Sequence, residues 1–202
     1  MNKENISLFY RTVRFLVNVI INIFYRVEVH GIENIPDIGP FIVCANHISY
    51  WDPPLIGCLV KNRQIHFMAK AELFKIFLFK NILLKLGAFP VKRETVDRRA
   101  FKKALHILNE GKVVGLFPEG TRSKTGELQK PLNGPALLAL KSSVPILPIA
   151  IKGPYKLFGR IKVAIGQPIS FKDFEGQKIK GEQLSQLSYK IMQEIAALLW
   201  NK

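Results

Sequence analysis

Seven short apolar runs, at residues 27–30, 41–45, 65–68, 88–91, 113–117, 146–151 and 161–165, recur along the chain with helical patterns between several of them. The helical patterns fall at 53–60, 71–86, 96–109 and 134–140, with longer ones at 5–25 and 182–200. Strand-length runs alternating with helices predict an α/β fold, a sheet covered by helices on both faces. No low-complexity tract, repeat or Pro/Gly linker divides the 202 residues, and 48% apolar content supplies a real core. The expected organisation is an N-terminal helix over residues 1–26 followed by one domain over 27–202.

Three of the strand runs are followed directly by chemistry-bearing groups. Asn46 and His47 come after FIVCA, Lys92 and Arg93 after AFPV, and residues 119–123 after VVGLFP. In open α/β sheets ligands bind outside the carboxyl ends of the strands, so these groups are expected to converge on one edge.

His47 and Asp52 lie five positions apart in ANHISYWDPP. Asp52 before two prolines has the pattern of a helix start, with an aspartate N-cap and proline in the first turn. A carboxylate there can also accept a hydrogen bond from His47, orient the imidazole and stabilise it when it takes a proton. His47 would then be a general base. In FPEGTRS (117–123), Glu119, Gly120, Thr121 and Arg122 make a loop rich in donors for phosphate or hydroxyl groups, with a glycine that admits close backbone approach. A solvated surface loop is the alternative for Arg122 and Glu119. Arg93 beside Lys92 reads either as a solvated strand end or, on the same edge as Arg122, as a phosphate contact. No P-loop and no HExxH spacing is present, His30, His66 and His106 have no evident partner, and no metal is expected.

The chain carries 30 Lys plus Arg against 15 Asp plus Glu, a formal charge of +15, and so calls for an anionic partner. Residues 61–130 hold sixteen of the basic residues and six of the acidic ones. There is no zinc-finger spacing, RRM-like aromatic pattern or basic zipper, so nucleic acid is not expected. Cys44 and Cys58 sit in apolar runs as buried thiols, in keeping with a cytoplasmic, reducing environment.

FLVNVIINIF (15–24) has arginines on both sides and no small-residue cleavage site after it, so it is expected to stay on the protein. Extended to residues 8–25, the stretch is interrupted by Arg11, Thr12, Arg14, Asn18 and Asn22, too often for a bilayer span. Arg11, Asn18 and Asn22 share one helical side, which describes an amphipathic helix lying in the lipid interface; a helix packed on the domain's own core is the alternative. Residues 65–86 are also strongly apolar, with Lys70, Lys75, Lys80 and Lys85 at intervals of five. On one helix these lysines would spread around it, and a membrane-facing platform is one reading, ordinary packing the other.

Taken together, NHISYWD (46–52), GAFPVKR (87–93), FPEGTRS (117–123) and VPILPIA (144–150) resemble, in order, the four motif blocks of the 1-acyl-sn-glycerol-3-phosphate acyltransferase family, within the glycerolipid acyltransferases. MAKAELFK (68–75) is similar to the segment between the first two blocks, and Lys92 stands where many members have an acidic residue. The resemblance, over about residues 31–166, implies a mixed, largely parallel sheet like that of glycerol-3-phosphate acyltransferase. It implies transfer of a fatty acyl group from acyl-CoA or acyl-carrier protein to the sn-2 hydroxyl of 1-acyl-sn-glycerol-3-phosphate, forming phosphatidic acid. His47 would be the general base and Asp52 its orienter, Arg93 and Arg122 would hold the phosphate, and Glu119, Gly120 and Thr121 would place the glycerol. No cofactor beyond the donor is implied, and the partners are an anionic lipid and a membrane surface. The expected location is the cytoplasmic face of the cell membrane, peripheral or monotopic. The alternatives are a sibling acyltransferase using glycerol 3-phosphate or another lysophospholipid, a non-enzymatic basic membrane binder, and a metal hydrolase using His47 and Asp52.

Overall fold

Along the strand Ile42–Ala45 (β2), Ile42 and Cys44 turn to one face of the sheet and Val43 and Ala45 to the other, and all four are closed to solvent. Period-two alternation with both faces apolar forces helices onto both sides. The computed structural model describes residues 6–92, 97–174, 177 and 179–200, and has such a layered arrangement.

The other strands are Arg26–His30 (β1), Ile65–Lys70 (β3), Phe89–Val91 (β4), Val113–Leu116 (β5), Ile146–Lys152 (β6) and Arg160–Ile165 (β7). Their order is β1-β7-β6-β2-β5-β3-β4. β6, β2, β5, β3 and β4 run parallel to one another, while β7 is antiparallel to β6 and carries β1 parallel to itself. The sheet is therefore mixed and largely parallel, as the resemblance implies.

Helices Arg98–Asn109 (α4), Gly134–Ser142 (α5) and Gly181–Trp200 (α6) cover one face through Ala104, Leu108, Leu138, Ile191 and Ile195. Leu8–Phe24 (α1) and Asp52–Leu59 (α2) cover the other through Ile21, Leu55 and Ile56. All the strands and most of the helices fall within a residue or two of the runs read from sequence.

The segment 71–86 is the exception. β3 continues to Lys70, a 3-10 turn occupies Ala71–Lys75, Ile76 is extended, and only Phe77–Lys85 (α3) is α-helical. β3 and β4 are adjacent parallel strands, so the chain between them must return to the start of β4, which shortens the helix. Lys70 and Lys75 are thus not on the helix that bears Lys80 and Lys85.

α1 packs inward through Tyr10, Val17 and Ile21, and the Arg14 guanidinium donates to the Lys61 carbonyl. Its outward side is also apolar: Leu8, Phe15, Leu16, Val19 and Ile23 are exposed, beside a polar flank of Arg11, Asn18 and Asn22. α3 exposes Phe77 and Leu78, and the Lys85 ammonium lies 5.4 Å from the centre of the Phe9 ring, which ties the two helices together. Among the described residues, no helix is long and apolar enough to cross a membrane.

Candidate active site

β2 and β5 are neighbours, and their carboxyl ends place the loops 46–52 and 117–123 side by side. The Asn46 side chain turns onto β6. It donates to the Ile151 carbonyl (2.9 Å) and accepts from the Ile151 amide (2.8 Å), continuing the β2–β6 pairing beyond the last backbone rung. The strand end is pinned there, and His47 is the next residue.

The two loops are joined at His47 itself. Its amide donates to Glu119 Oε1 (2.9 Å), its carbonyl accepts from the Ser123 amide (2.8 Å), and Glu119 Oε2 accepts from the Gln129 amide (3.0 Å). Burial pushes the Glu119 carboxyl above its usual range, against the pull of those two amides. Both Glu119 oxygens are thus engaged in holding the loops.

The His47 ring stacks on Phe117, centroids 3.9 Å apart and planes 18° apart, and Phe117 stacks in turn on Phe67. Gly115 makes room for this stack, since a Cβ there would lie 2.3 Å from the Phe67 ring. The ring is therefore held from one face while its edge is set by Asp52.

Asp52 is wholly buried, and its Oδ2 accepts from His47 Nδ1 and from the amides of Ile48 and Ser49, each at 2.7 Å. Oδ1 accepts from the Tyr155 hydroxyl, also at 2.7 Å. An ionised carboxylate only accepts, so Nδ1 is the donor of this contact, and in the neutral imidazole Nε2 then keeps its lone pair. That is the form of histidine able to take a proton from a hydroxyl.

Here the structure corrects one expectation. Asp52 is not the cap of α2: Trp51 precedes the helix, Asp52 is its first residue, and no side chain caps it. Pro53 and Pro54 occupy the next two positions and have no N–H, so the first turn has few donors left to satisfy. The carboxylate is released from capping and turns back onto the preceding loop.

Gly120 takes a left-handed conformation, φ +70°, and closes a turn on the Phe117 carbonyl, with Thr121 exposed beyond it. The Arg122 guanidinium carbon lies over the ring of Tyr50, 3.5 Å from its centre. Tyr50 itself is 73% exposed, so the pair faces solvent at the mouth of the two loops. Lys92 follows β4 on the same sheet edge, its amide bonded to Asp97, and Arg93 lies outside the described residues. Among the described residues, no three His, Cys, Asp or Glu side chains gather into a group able to hold a metal ion.

Sequence reading missed Tyr50, Phe117 and Tyr155. Tyr50 lies inside NHISYWD and Phe117 opens FPEGTRS, but neither carries a formal charge that marks it. Tyr155 follows the carboxyl end of β6, so the rule that located His47 and Arg122 could have pointed to it.

A family model described as Acyltransferase matches residues 26–152. The chain is 33% identical over 187 residues to the 1-acyl-sn-glycerol-3-phosphate acyltransferase of Bacillus subtilis (strain 168), covering 90% of this chain and 92% of that one. It is 30% identical over 208 residues to the enzyme of the same name from Streptococcus pneumoniae, covering 98% and 76%. Among solved structures, the 1-acyl-sn-glycerophosphate (LPA) acyltransferase PlsC from Thermotoga maritima superposes with a TM-score of 0.73 at 29% identity, over 96% of this chain and 80% of that one.

Proposed function

The chain belongs to the 1-acyl-sn-glycerol-3-phosphate acyltransferase family, and from that premise we propose that it acylates the sn-2 hydroxyl of 1-acyl-sn-glycerol-3-phosphate to give phosphatidic acid. The observation that carries the reading is the buried His47–Asp52 pair at 2.7 Å, on the loop joined to the one that bears Arg122.

The donor is an acyl thioester, acyl-CoA or acyl-carrier protein, and no other cofactor takes part. His47 Nε2 removes the hydroxyl proton as the oxygen attacks the thioester carbonyl. An ester C–O bond forms, the C–S bond breaks, and the proton passes from His47 to the departing sulfur as a free thiol. Asp52 orients the ring and stabilises the transient imidazolium. Arg122, with Arg93, takes the acceptor's phosphate, since a guanidinium fork suits bidentate binding of its oxygens. Gly120 and Thr121 line the approach of the glycerol, and any contact of Glu119 with it would add to the two amide bonds it already makes.

The exposed apolar sides of α1 and α3, together with the +15 charge, support peripheral or monotopic seating on an anionic leaflet, with the cytoplasmic face as the location. The test is an assay of purified protein with lysophosphatidic acid in vesicles, offering acyl-CoA and acyl-carrier protein in parallel. Phosphatidic acid formed by wild type and not by His47→Ala is the expected result. Transfer to glycerol 3-phosphate in preference to the lysolipid would overturn the acceptor assignment, and near-normal transfer by a folded His47→Ala variant would overturn the mechanism.

A further inference from the structure

Asp52 is held on both oxygens, and the second holder comes from no motif. The Tyr155 hydroxyl reaches Oδ1 at 2.7 Å across 103 residues of sequence. Tyr155 stands just past the end of β6, with its ring edge-on to Tyr25 at 5.5 Å, and Tyr25 is edge-on to Trp51 at 6.3 Å. Burial and the neighbouring Asp52 charge push the Tyr155 phenol well above its ordinary range, which keeps it a donor.

A carboxylate rotates readily about its last torsion, whose well is broad. Oδ2 has three donors on one side, but rotation about that torsion would still swing it relative to the imidazole. A hydrogen bond on Oδ1 closes that freedom, because any rotation then strains bonds on both oxygens. We propose that Tyr155 is a positioning residue for the acyl transfer: its hydroxyl fixes the plane of the Asp52 carboxylate and, through it, the edge of His47. The proposal rests on the reading of His47 as the general base.

The groups facing the pair are Glu119, through the His47 amide, the phenol of Tyr155, with the Tyr25 ring behind it, and the Ile48 and Ser49 amides, which do not titrate. Without the Tyr155 hydroxyl, more of the Asp52 charge acts on the imidazole, and a proton on His47 is held more tightly.

The test is Tyr155→Phe, which keeps the ring against Tyr25 and removes only the donor. In the acyl-transfer assay kcat should fall roughly tenfold to a hundredfold while both KM values hold. The acid limb of the kcat/KM profile should move to higher pH, and the titration of the His47 ring protons, followed by NMR without substrate, should move the same way. In an Asp52→Asn background the same substitution should change kcat by less than about twofold, since residues acting through one another are not additive. An unchanged kcat and titration in Tyr155→Phe, or an equal fall in both backgrounds, would overturn the proposal in favour of plain packing. If Tyr155→Phe does not fold, 3-fluorotyrosine at position 155 keeps the shape and strengthens the donor. It should move the limb and the titration to lower pH, and no movement, or movement upward, would count against the proposal. A wild-type chain without acyl transfer but with the coupled His47 titration would remove the functional reading and leave the Tyr155–Asp52 link standing.

Discussion

The guanidinium of Arg122 lies 3.5 Å from the centre of the Tyr50 ring, so the first two motif loops to converge are bridged at their exposed tips as well as at their buried bases. The cation–π contact holds the guanidinium at the mouth of the loops, where an anion can reach it. Arg122→Ala should raise KM for lysophosphatidic acid about 10- to 100-fold, the range of charge-assisted hydrogen bonds. Tyr50→Ala should raise it less, by about 2- to 30-fold, the worth of a cation–π contact, and Tyr50→Phe hardly at all. Equal losses on acceptors with and without phosphate would show that the pair holds something else.

Asp52→Asn separates shape from charge. The amide oxygen can still accept from the Ile48 and Ser49 amides, and α2 loses no cap because Asp52 provides none. The expected result is kcat lowered by about 10² or more with a folded protein, as judged by thermal unfolding. Normal turnover would reduce Asp52 to a loop fastener.

Asp97 caps α4, accepting from the amides of Arg99 and Ala100, and it also accepts from Lys92. These amides, foremost that of Ala100, hold its carboxyl below the usual range. A lowered folded value means stability present above the ordinary carboxylate pKa of about 4 and lost as pH falls through the depressed one. Asp97→Ala should therefore cost about 1 kcal/mol near neutrality, with the gap to wild type closing in acid. Urea titrations at pH 7 and pH 3 would measure both, and a gap that persists at low pH would contradict the assignment.

Deleting α1 would strip Tyr10, Val17 and Ile21 from the core, so outward substitutions test membrane seating more cleanly. Phe15→Ser and Phe77→Ser each remove an exposed ring. Each should weaken co-sedimentation with phosphatidylglycerol vesicles by roughly tenfold or more if that ring enters the lipid, at about 1.5–3 kcal/mol per large apolar side chain. Unchanged partitioning with retained thermal stability would reject these two helices as the docking face.

The layers and the edge that bears the candidate site were legible in sequence because both depend on local pattern. FIVCA and VVGLFP each announce a strand and deliver their polar groups at its end. The direction of the Asp52 side chain was not legible. DPP looks like a cap and two prolines, yet those prolines remove the donors a cap would serve, and that cancellation is visible only with the loop in place. Tyr155 and the Asn46–Ile151 bonds are contacts more than a hundred residues apart, which no spacing encodes. Residues 71–86 misled for the opposite reason: their apolar pattern suits a helix, but the pairing of β3 with β4 decides how much of it can form.

The reversal of β7 and β1 has a geometric consequence. Because β1 runs against β2, its first residue Arg26, paired with Arg160, lies at the sheet edge where β6 ends, and α1 hands the chain over at that edge. Had β1 run the other way, its five residues would have carried the end of α1 about 17 Å off, to the opposite edge. Strand direction thus brings the last turn of α1 to the edge that bears His47, while its first turns lie at the opposite side, where the Tyr10 hydroxyl accepts from the Ile65 amide at the start of β3. With α1 seated in a leaflet as proposed, a lysolipid would approach His47 by sideways diffusion, a search in two dimensions instead of three.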